Sequence, residues 1–468
     1  MKKAFVTGAD GFLGINLVSE LVREQWNVIA FHLPSDDTKE LEGLGVELAE
    51  GDILDYASLL SAMPEDSGLI VFHVAGDTSM WHKHAERQHA VNVIGTRNVA
   101  RAAMERGVSR MVFTSSISAY GFHNGRIDEQ TVSNALLCRM NYNKTKYLAE
   151  QEIRNAIANG LNAVIVNPCN MLGSYDRHGW SALILNAAKG RLKFVGSGTG
   201  TFAHVKDVAR AHIKAAEQGI TGENYLLGGI EISFLEIGTE IYRLIGKRGK
   251  PVALPSFFLR AAAGCVELFS FFMNKEPALT YPRYKRLTGR IRCNDEKARR
   301  ELGFSTVPIR EMLADSYRWL LAGSLLPHGK GLDEQLRFVE VEDEPLHREQ
   351  CKTGGIRVYR AIIPPGEASM FHRHSKNTVY IVTQGGRIMT IPLKGHSAGR
   401  VLPLTRLSLK RKLLLAVGKL SGKPVRLDTG FSFFMPAGGN GVVHAVRASA
   451  DNQRPVEIMG VELACESE

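Results

Sequence analysis

The chain has 468 residues, 44% of them hydrophobic and 23% charged, with a formal net charge of +10. That length exceeds one ordinary core, so two or more domains of a soluble globular protein are expected. The charge does not point to nucleic acid, because residues 394–426 hold nine Lys or Arg and no Asp or Glu, leaving the remainder near neutral.

The first predicted strand, Ala4-Phe5-Val6, begins almost at Met1 and leaves no room for a signal peptide. Gly8, Gly11 and Gly14 follow at three-residue spacing, and Phe12 to Gln25 carries Leu13, Leu17, Val18 and Leu21 on one helical face. A strand, a glycine turn and a helix make a phosphate cradle: the backbone approaches a pyrophosphate closely, and the helix start supplies free N–H groups. Gly8, Gly11, Phe12, Leu13 and Gly14 are therefore the first candidate cofactor residues.

Val28–Phe31, Leu69–Phe72, Met111–Phe113 and Ala163–Val166 are continuous, β-branched-rich runs that suit strands buried on both faces. Helical stretches such as Val91–Arg106 and Tyr142–Asn159 lie between them. The alternation predicts an α/β fold with a doubly wound parallel sheet, extending to about residue 220. The second strand ends in Phe31-His32-Leu33-Pro34 without the acid that usually meets the ribose of NAD. His32 and Lys39 suit a 2′-phosphate, which leans the expectation toward NADP; ordinary loop residues are the alternative, and NAD stays open.

Two further patterns carry chemistry. Ser115, Ser116 and Ser118 cluster at a strand end, where open α/β sheets bind ligands. Tyr142 and Lys146 stand at i and i+4 of a helix, about 6 Å apart on one face. A phenol is a poor base at neutral pH, and a neighbouring ammonium lowers its pKa.

The G-x-x-G-x-x-G loop, the "S-S-x-x-x-Y-G" of residues 115–121, the Y-x-x-x-K of Tyr142 and Lys146 and the Asn92-Val-Ile-Gly-Thr96 segment together resemble the extended short-chain dehydrogenase/reductase family. Phe202–Ala209 and the closing Asp295–Phe304 segment add to the resemblance, which covers about Met1 to Leu321 and lies closest to the dihydroflavonol reductase and 3β-hydroxysteroid dehydrogenase branch. The resemblance implies NAD or NADP, and a catalytic set of Ser116, Tyr142, Lys146 and Asn92, with Ser115 as the rival to Ser116. Asp52 and Ile53 would meet the adenine, Val74, Ala75 and Gly76 would line the cofactor, and Pro168 would flank the nicotinamide. Lys146 would bond its ribose. His204 and Asp207 would be structural.

The apolar stretch Phe257–Met273 contains Arg260 and Glu267, so it is no membrane span; a packed core helix is expected, with a pocket wall or a membrane-resting surface as alternatives. The six cysteines are scattered without a C-x-x-C pair, as in reduced cytosolic proteins.

Residues 1–322 thus form the expected reductase domain, 323–334 a linker, and 335–468 a second module. There the pattern turns to short strands with Pro and Gly turns, predicting a small all-β barrel or sandwich. Gly366, His372, His374 and Gly385 match the spacing of the cupin motif, with Thr378 in place of its Glu; Gly430, Pro436 and Gly438 match the second motif, with His444 displaced by three positions. His372 and His374 alternate onto one strand face, so these two and His444 are candidate ligands for Zn, Fe, Mn, Ni or Cu. Residues 394–426 read as a basic insert, in which Leu409, Leu413, Ala416, Val417 and Leu420 make a helical stripe. A helix packed on the barrel is the first expectation and peripheral contact with an anionic membrane the second.

The function expected is an NAD(P)-dependent oxidoreductase interconverting a ketone or aldehyde and an alcohol on an apolar small molecule, with a regulatory or ligand-binding cupin domain. The alternatives are a nucleotide-sugar epimerase or dehydratase that retains its NAD, and a non-catalytic redox or ligand sensor. The expected setting is cytoplasmic, with a small-molecule substrate, no nucleic acid, and a homodimer as a further expectation.

Overall fold

The computed structural model describes residues 2–463, apart from 124, 178, 271–278, 291, 324, 327–338, 342–343, 345, 354–355, 366–367, 375, 393–401, 404–424 and 436–441. Most of the expected linker and of the basic stretch 394–426, including its helical stripe, lie outside the described residues, as do Gly366, Pro436 and Gly438. The chain divides into two compact units, residues 1–36 with 47–316, and residues 37–46 with 317–468.

The first unit is built on seven parallel strands: β1 (Lys3–Thr7), β2 (Asn27–His32), β3 (Glu47–Glu50), β4 (Leu69–His73), β5 (Arg110–Thr114), β6 (Ala163–Pro168) and β7 (Asn224–Leu227). Their order across the sheet is β7-β6-β5-β4-β1-β2-β3. The chain turns outward in opposite directions from β1, and β1 pairs in register with both β2 and β4, Thr7 lying level with Phe31 and His73. That reversal opens a crevice at the carboxyl ends of β1 and β4, the position where doubly wound sheets take ligands. Phe5, Val71, Met111, Phe113, Ile165 and Ile153 fill one face of the sheet. The helix Phe12–Arg23 buries Leu13, Leu17, Val18 and Leu21, the stripe read from the sequence, and packs on the helix Val205–Gln218.

A lobe follows, with a three-stranded sheet of Asn170–Leu172, Thr199–His204 and Ile230–Ser233. The stretch expected to be a core helix forms the helix Ser256–Ser270, but Phe257 and Phe258 are 62% and 56% exposed while Leu259 and Ala263 are buried. Leu259 and Ala263 pack with Tyr284 of the helix Tyr281–Thr288, and Leu254, Leu279 and Tyr281 border that cluster. Among the described residues no helix is long and apolar enough to cross a membrane. Cys138, Cys169, Cys265, Cys293 and Cys351 are free thiols.

The second unit contains, among the described residues, a five-stranded and a six-stranded sheet. Nearly all pairings are antiparallel; the exception is Val339–Glu340 beside His372–His374. Tyr359, Ile363, Val382, Phe431, Val456 and Ile458 make its core.

Candidate active site

The glycine turn takes its shape from close approach. Gly8 has φ +64, and a Cβ there would come within 2.7 Å of the Ala75 backbone; a Cβ on Gly14 would sit 2.0 Å from the Gly8 carbonyl oxygen. Gly11 caps the helix Phe12–Arg23 without a side-chain hydrogen bond, and no acid stands in the first turn. The first N–H groups of this helix have no side-chain cap, and the glycine turn fits a dinucleotide pyrophosphate. Leu13 points into the core at 5% exposure, so its backbone, not its side chain, faces that cradle.

At the end of β2, His32 is buried, its Nδ1 donates to the Leu33 carbonyl (2.9 Å), and its Nε2 has no hydrogen-bond partner. The Leu33 N–H donates to the Asp36 carboxylate at 3.0 Å. Asp10, in the glycine turn, is pushed up to about 6 by burial and by the charge of Asp36. An acid pair therefore stands where the sequence shows none at the strand terminus, because the loop after β2 doubles back. Lys39 groups with the second unit and pairs with Asp37 at 3.9 Å.

Asp52 follows β3 and accepts the Leu54 N–H at 2.8 Å, while Ile53 lies against Gly95, where a Cβ would come within 2.5 Å of Ile53 Cδ1. After β4, the Val74 N–H donates to the Thr7 carbonyl (3.2 Å) and the Ala75 N–H to the Thr7 hydroxyl (3.3 Å). Gly76 lies beside the catalytic candidates: a Cβ there would stand 3.3 Å from both Asn92 Oδ1 and Lys146 Nζ. Pro168 closes β6 and is buried.

Asn92 sits in a π-helical turn, Ala90–Gly95. Its Oδ1 accepts the Asp77 N–H (2.7 Å), and its Nδ2 donates to the Asp77 carbonyl (3.0 Å) and to Thr145 Oγ1 (3.1 Å). It ties the loop after Gly76 to the helix Asn141–Ala158, which carries Tyr142 and Lys146.

The two serines after β5 part company. Ser115 turns inward and donates to Glu150 Oε1 at 2.5 Å, within a buried network in which Asn167 and Asn224 also donate to Glu150. Ser116 instead accepts the Ser118 N–H at 3.1 Å, and its hydroxyl is the neighbour that most favours the ionised Tyr142 phenol. Burial pushes the Tyr142 phenol above its usual value, and the Ser116 hydroxyl and the Arg286 guanidinium oppose that rise. The sequence assigned the opposing charge to Lys146. Instead, Lys146 Nζ donates to the Thr114 carbonyl (2.9 Å) and lies over the Phe113 ring (5.4 Å), and burial lowers it to about 8. Its ammonium is directed at the strand end, while Arg286 stands on the phenol side.

The family model described as the NAD dependent epimerase/dehydratase family matches residues 4–228. The "Sterol demethylase protein B" of Methylococcus capsulatus is 31% identical over 319 residues, covering 67% of this chain and 97% of that one. The chain belongs to the NAD-dependent epimerase/dehydratase family, the extended short-chain dehydrogenases/reductases. The "2-alkyl-3-oxoalkanoate reductase" of Stenotrophomonas maltophilia is 28% identical over 319 residues, covering 64% of this chain and 94% of that one. The solved structure of gox2253 superposes with a TM-score of 0.61 at 30% identity, covering 70% of this chain and all of that one. The first unit is thus an NAD(P)-dependent enzyme of the short-chain dehydrogenase/reductase type.

The lobe brings a cation and a set of aromatic rings to the Tyr142 side of the crevice. Arg286, on the helix Tyr281–Thr288, donates to Asn170 Oδ1 and lies over the Trp180 ring at 5.0 Å. Trp180 in turn stacks on Phe234 at 5.4 Å and meets Phe202 edge-on at 5.0 Å. Arg286 thus lies against an aromatic cluster, with Arg283 as a second cation close by. Sequence reasoning missed Arg286, Glu150, Trp180 and the Asp10–Asp36 pair; a run of basic residues before Gly289 was the available signal for Arg286. His204 bonds Asp315 (3.2 Å), and Asp207 accepts the Val307 N–H (3.1 Å), holding the end of the lobe to the sheet.

In the second unit the structure brings together the three histidines read as ligands. His444 lies across the strand pair from His372, and the ring centroids are 4.8 Å apart for His372–His374, 5.0 Å for His372–His444 and 5.2 Å for His374–His444. Thr378 does not take the place of the missing Glu ligand: its hydroxyl donates to the Lys376 carbonyl at 3.1 Å.

Proposed function

We propose that the first unit interconverts a ketone and a secondary alcohol on an apolar small molecule that carries an anionic group near the reacting carbon. The observation that carries this reading is the division of the two serines after β5: Ser115 is committed to Glu150, which leaves Ser116 for the helix that carries Tyr142 and Lys146. Bound NAD(P) supplies the hydride in reduction and accepts it in oxidation. Tyr142 is protonated at neutral pH, since burial raises its phenol; it gives that proton to the carbonyl oxygen in reduction and takes it back in oxidation. Ser116 donates a hydrogen bond to the same oxygen. Lys146, lowered to about 8, is an ammonium at pH 7 and binds the cofactor ribose. Arg286 supplies the anion-holding group, and Trp180 with Phe202 supports the apolar side. The name of the Stenotrophomonas reductase joins the same features, an alkyl chain and a carboxylate two carbons from a ketone.

The Asp10–Asp36 pair favours NAD over NADP, because a carboxylate accepts hydrogen bonds from ribose hydroxyls and repels a 2′-phosphate. This replaces the lean to NADP drawn from His32 and Lys39. A panel of 3-oxo acids, neutral ketones and alcohols with NADH, NADPH and their oxidised forms, followed by cofactor absorbance, tests the reading. Turnover of 3-oxo acids with NADH is expected; turnover of no carbonyl or alcohol with either cofactor would sink it.

One observation favours a second reading, an epimerase or dehydratase acting on a nucleotide sugar. A cavity of about 380 Å³ next to Gly121 is lined by Lys285, Arg290 and Arg292, which suits a diphosphate. Such an enzyme keeps its NAD between turnovers, so stoichiometric dinucleotide released on denaturing the purified protein would favour it.

A further inference from the structure

Four imidazoles, not three, converge between the sheets of the second unit. His372 and His374 stand on one face of a strand in the five-stranded sheet, and its partner Val442–Ala448 adds His444. His347 comes from the other sheet, at the start of the strand His347–Thr353. Its ring centroid lies 4.4 Å from that of His372 and 6.0 Å from that of His374. His347, His372 and His374 each offer one nitrogen within 4.8 Å of the others. All are buried: His347 is 8% exposed, His372 0%, His374 1% and His444 6%.

Hydrogen bonding selects which nitrogens are available. His372 Nδ1 lies 2.8 Å from the Met370 carbonyl, which only accepts, so Nδ1 carries the proton. The lone pair of a neutral His372 is then on Nε2, which is buried and has no hydrogen-bond partner. His347 Nδ1 likewise donates to Glu344 Oε2 at 2.5 Å, leaving its Nε2 as the ligand atom. The other oxygen of Glu344 accepts the Met370 N–H at 3.0 Å. One carboxylate thus fixes His347 directly and steadies the Met370 peptide whose carbonyl orients His372. A buried lone pair with no donor costs free energy unless a cation meets it, and a carboxylate behind an imidazole is the usual outer support of a metal ligand.

We propose that the second unit binds one divalent transition-metal ion through His347, His372 and His374, with His444 as the fourth imidazole and Glu344 as the positioning residue. His347 adds an imidazole from a strand of the other sheet. Four neutral nitrogens suit Zn²⁺, Ni²⁺, Cu²⁺ or Fe²⁺, and exclude Mg²⁺ and Ca²⁺, which require oxygen.

The test uses the untagged full chain, stripped with a chelator and then offered Zn²⁺, Ni²⁺ or Mg²⁺ separately. Bound metal is counted by elemental analysis after gel filtration, and affinity is read by competition with a chromophoric chelator. One Zn²⁺ or Ni²⁺ per chain and no Mg²⁺ is expected. His347→Ala should weaken binding at least tenfold, and Glu344→Gln about ten- to hundredfold. Thr378→Val should bind as wild type does. Circular dichroism of each metal-free variant checks that it folds, and a metal-dependent rise in the melting temperature of the wild-type chain gives a readout independent of any variant. Absence of stoichiometric transition metal in the wild type overturns the site, and unchanged affinity in folded His347→Ala removes His347 from it.

Discussion

The two units each enclose a buried polar cluster, and the two clusters are assembled by different rules. In the first unit, Tyr142 and Lys146 are one helical turn apart, Ser116 follows a strand, and the glycine loop is a single turn between a strand and a helix. In the second, His347 reaches His372 and His374 from another sheet, and His444 reaches them only through the register of an antiparallel pair. Helical spacing turns sequence distance into spatial distance by a fixed rule, so chemistry placed on a helix can be read directly. Strand pairing has no such rule, because register depends on the whole sheet. The first site is therefore a device of local motifs and the second a device of tertiary fold.

The sharpest way to break that contrast is at Tyr142. If the local motif is the catalytic device, Tyr142→Phe removes the proton donor and leaves packing intact. Turnover should fall by about two to four decades while NADH titration by fluorescence shows binding near that of wild type. Ser116→Ala should also suppress turnover. Ser115→Ala should keep most of it, since Ser115 answers to Glu150 and not to the phenol. A Tyr142→Phe enzyme with near wild-type kcat would end the assignment.

The pattern of success and failure along the chain has a physical cause. Strands β4 and β6 lie where the apolar runs placed them, since both faces of a parallel sheet are buried and leave an unbroken hydrophobic signal. Ser115 and Ser116 look alike in sequence, because nothing local marks which of two successive hydroxyls after β5 meets Glu150. Arg286 and Asp36 were illegible for another reason: each reaches the crevice from a segment that doubles back, and no periodicity encodes that path. The helix Ser256–Ser270 erred in the opposite sense. Its composition looks like core, yet its partners cover Leu259 and Ala263 and leave Phe257 exposed.

Arg286 tests whether a residue delivered by the fold governs binding where the motif governs chemistry. Arg286→Met should raise KM for a 3-oxo acid about ten- to hundredfold, the worth of a charge-assisted hydrogen bond, with a much smaller effect on a neutral ketone. Arg286→Lys should recover part of that loss, since it keeps the charge and loses the planar fork. Equal losses on acid and neutral substrates would mean that Arg286 serves the fold of the lobe rather than substrate recognition. Asn92 lies between the two cases, because its motif is local and its partners are not. Asn92→Ala leaves the Asp77 N–H without its acceptor, so chemical denaturation should show about 1–3 kcal/mol less stability, with a loss of turnover well short of that for Tyr142→Phe. Unchanged stability would show that solvent replaces the side chain.

The smallest expected effect belongs to Asp10, where a local glycine turn meets an acid brought by a loop. Burial and the Asp36 charge raise the Asp10 carboxyl to about 6, so it is ionised at pH 7.5 and mostly neutral at pH 5. A pyrophosphate bound at the helix start is repelled by the ionised form. Affinity for NADH should therefore increase as the pH falls through about 6, by about threefold to fivefold for a partly solvated pair of charges. Asp10→Asn should bind NADH at pH 7.5 as tightly as the wild type does at pH 5, and should show a flatter profile between those values. Fluorescence titration at four or five pH values measures both. If the variant keeps the wild-type slope, the titrating group is elsewhere, and the loop that carries Asp36 does not tune the cradle.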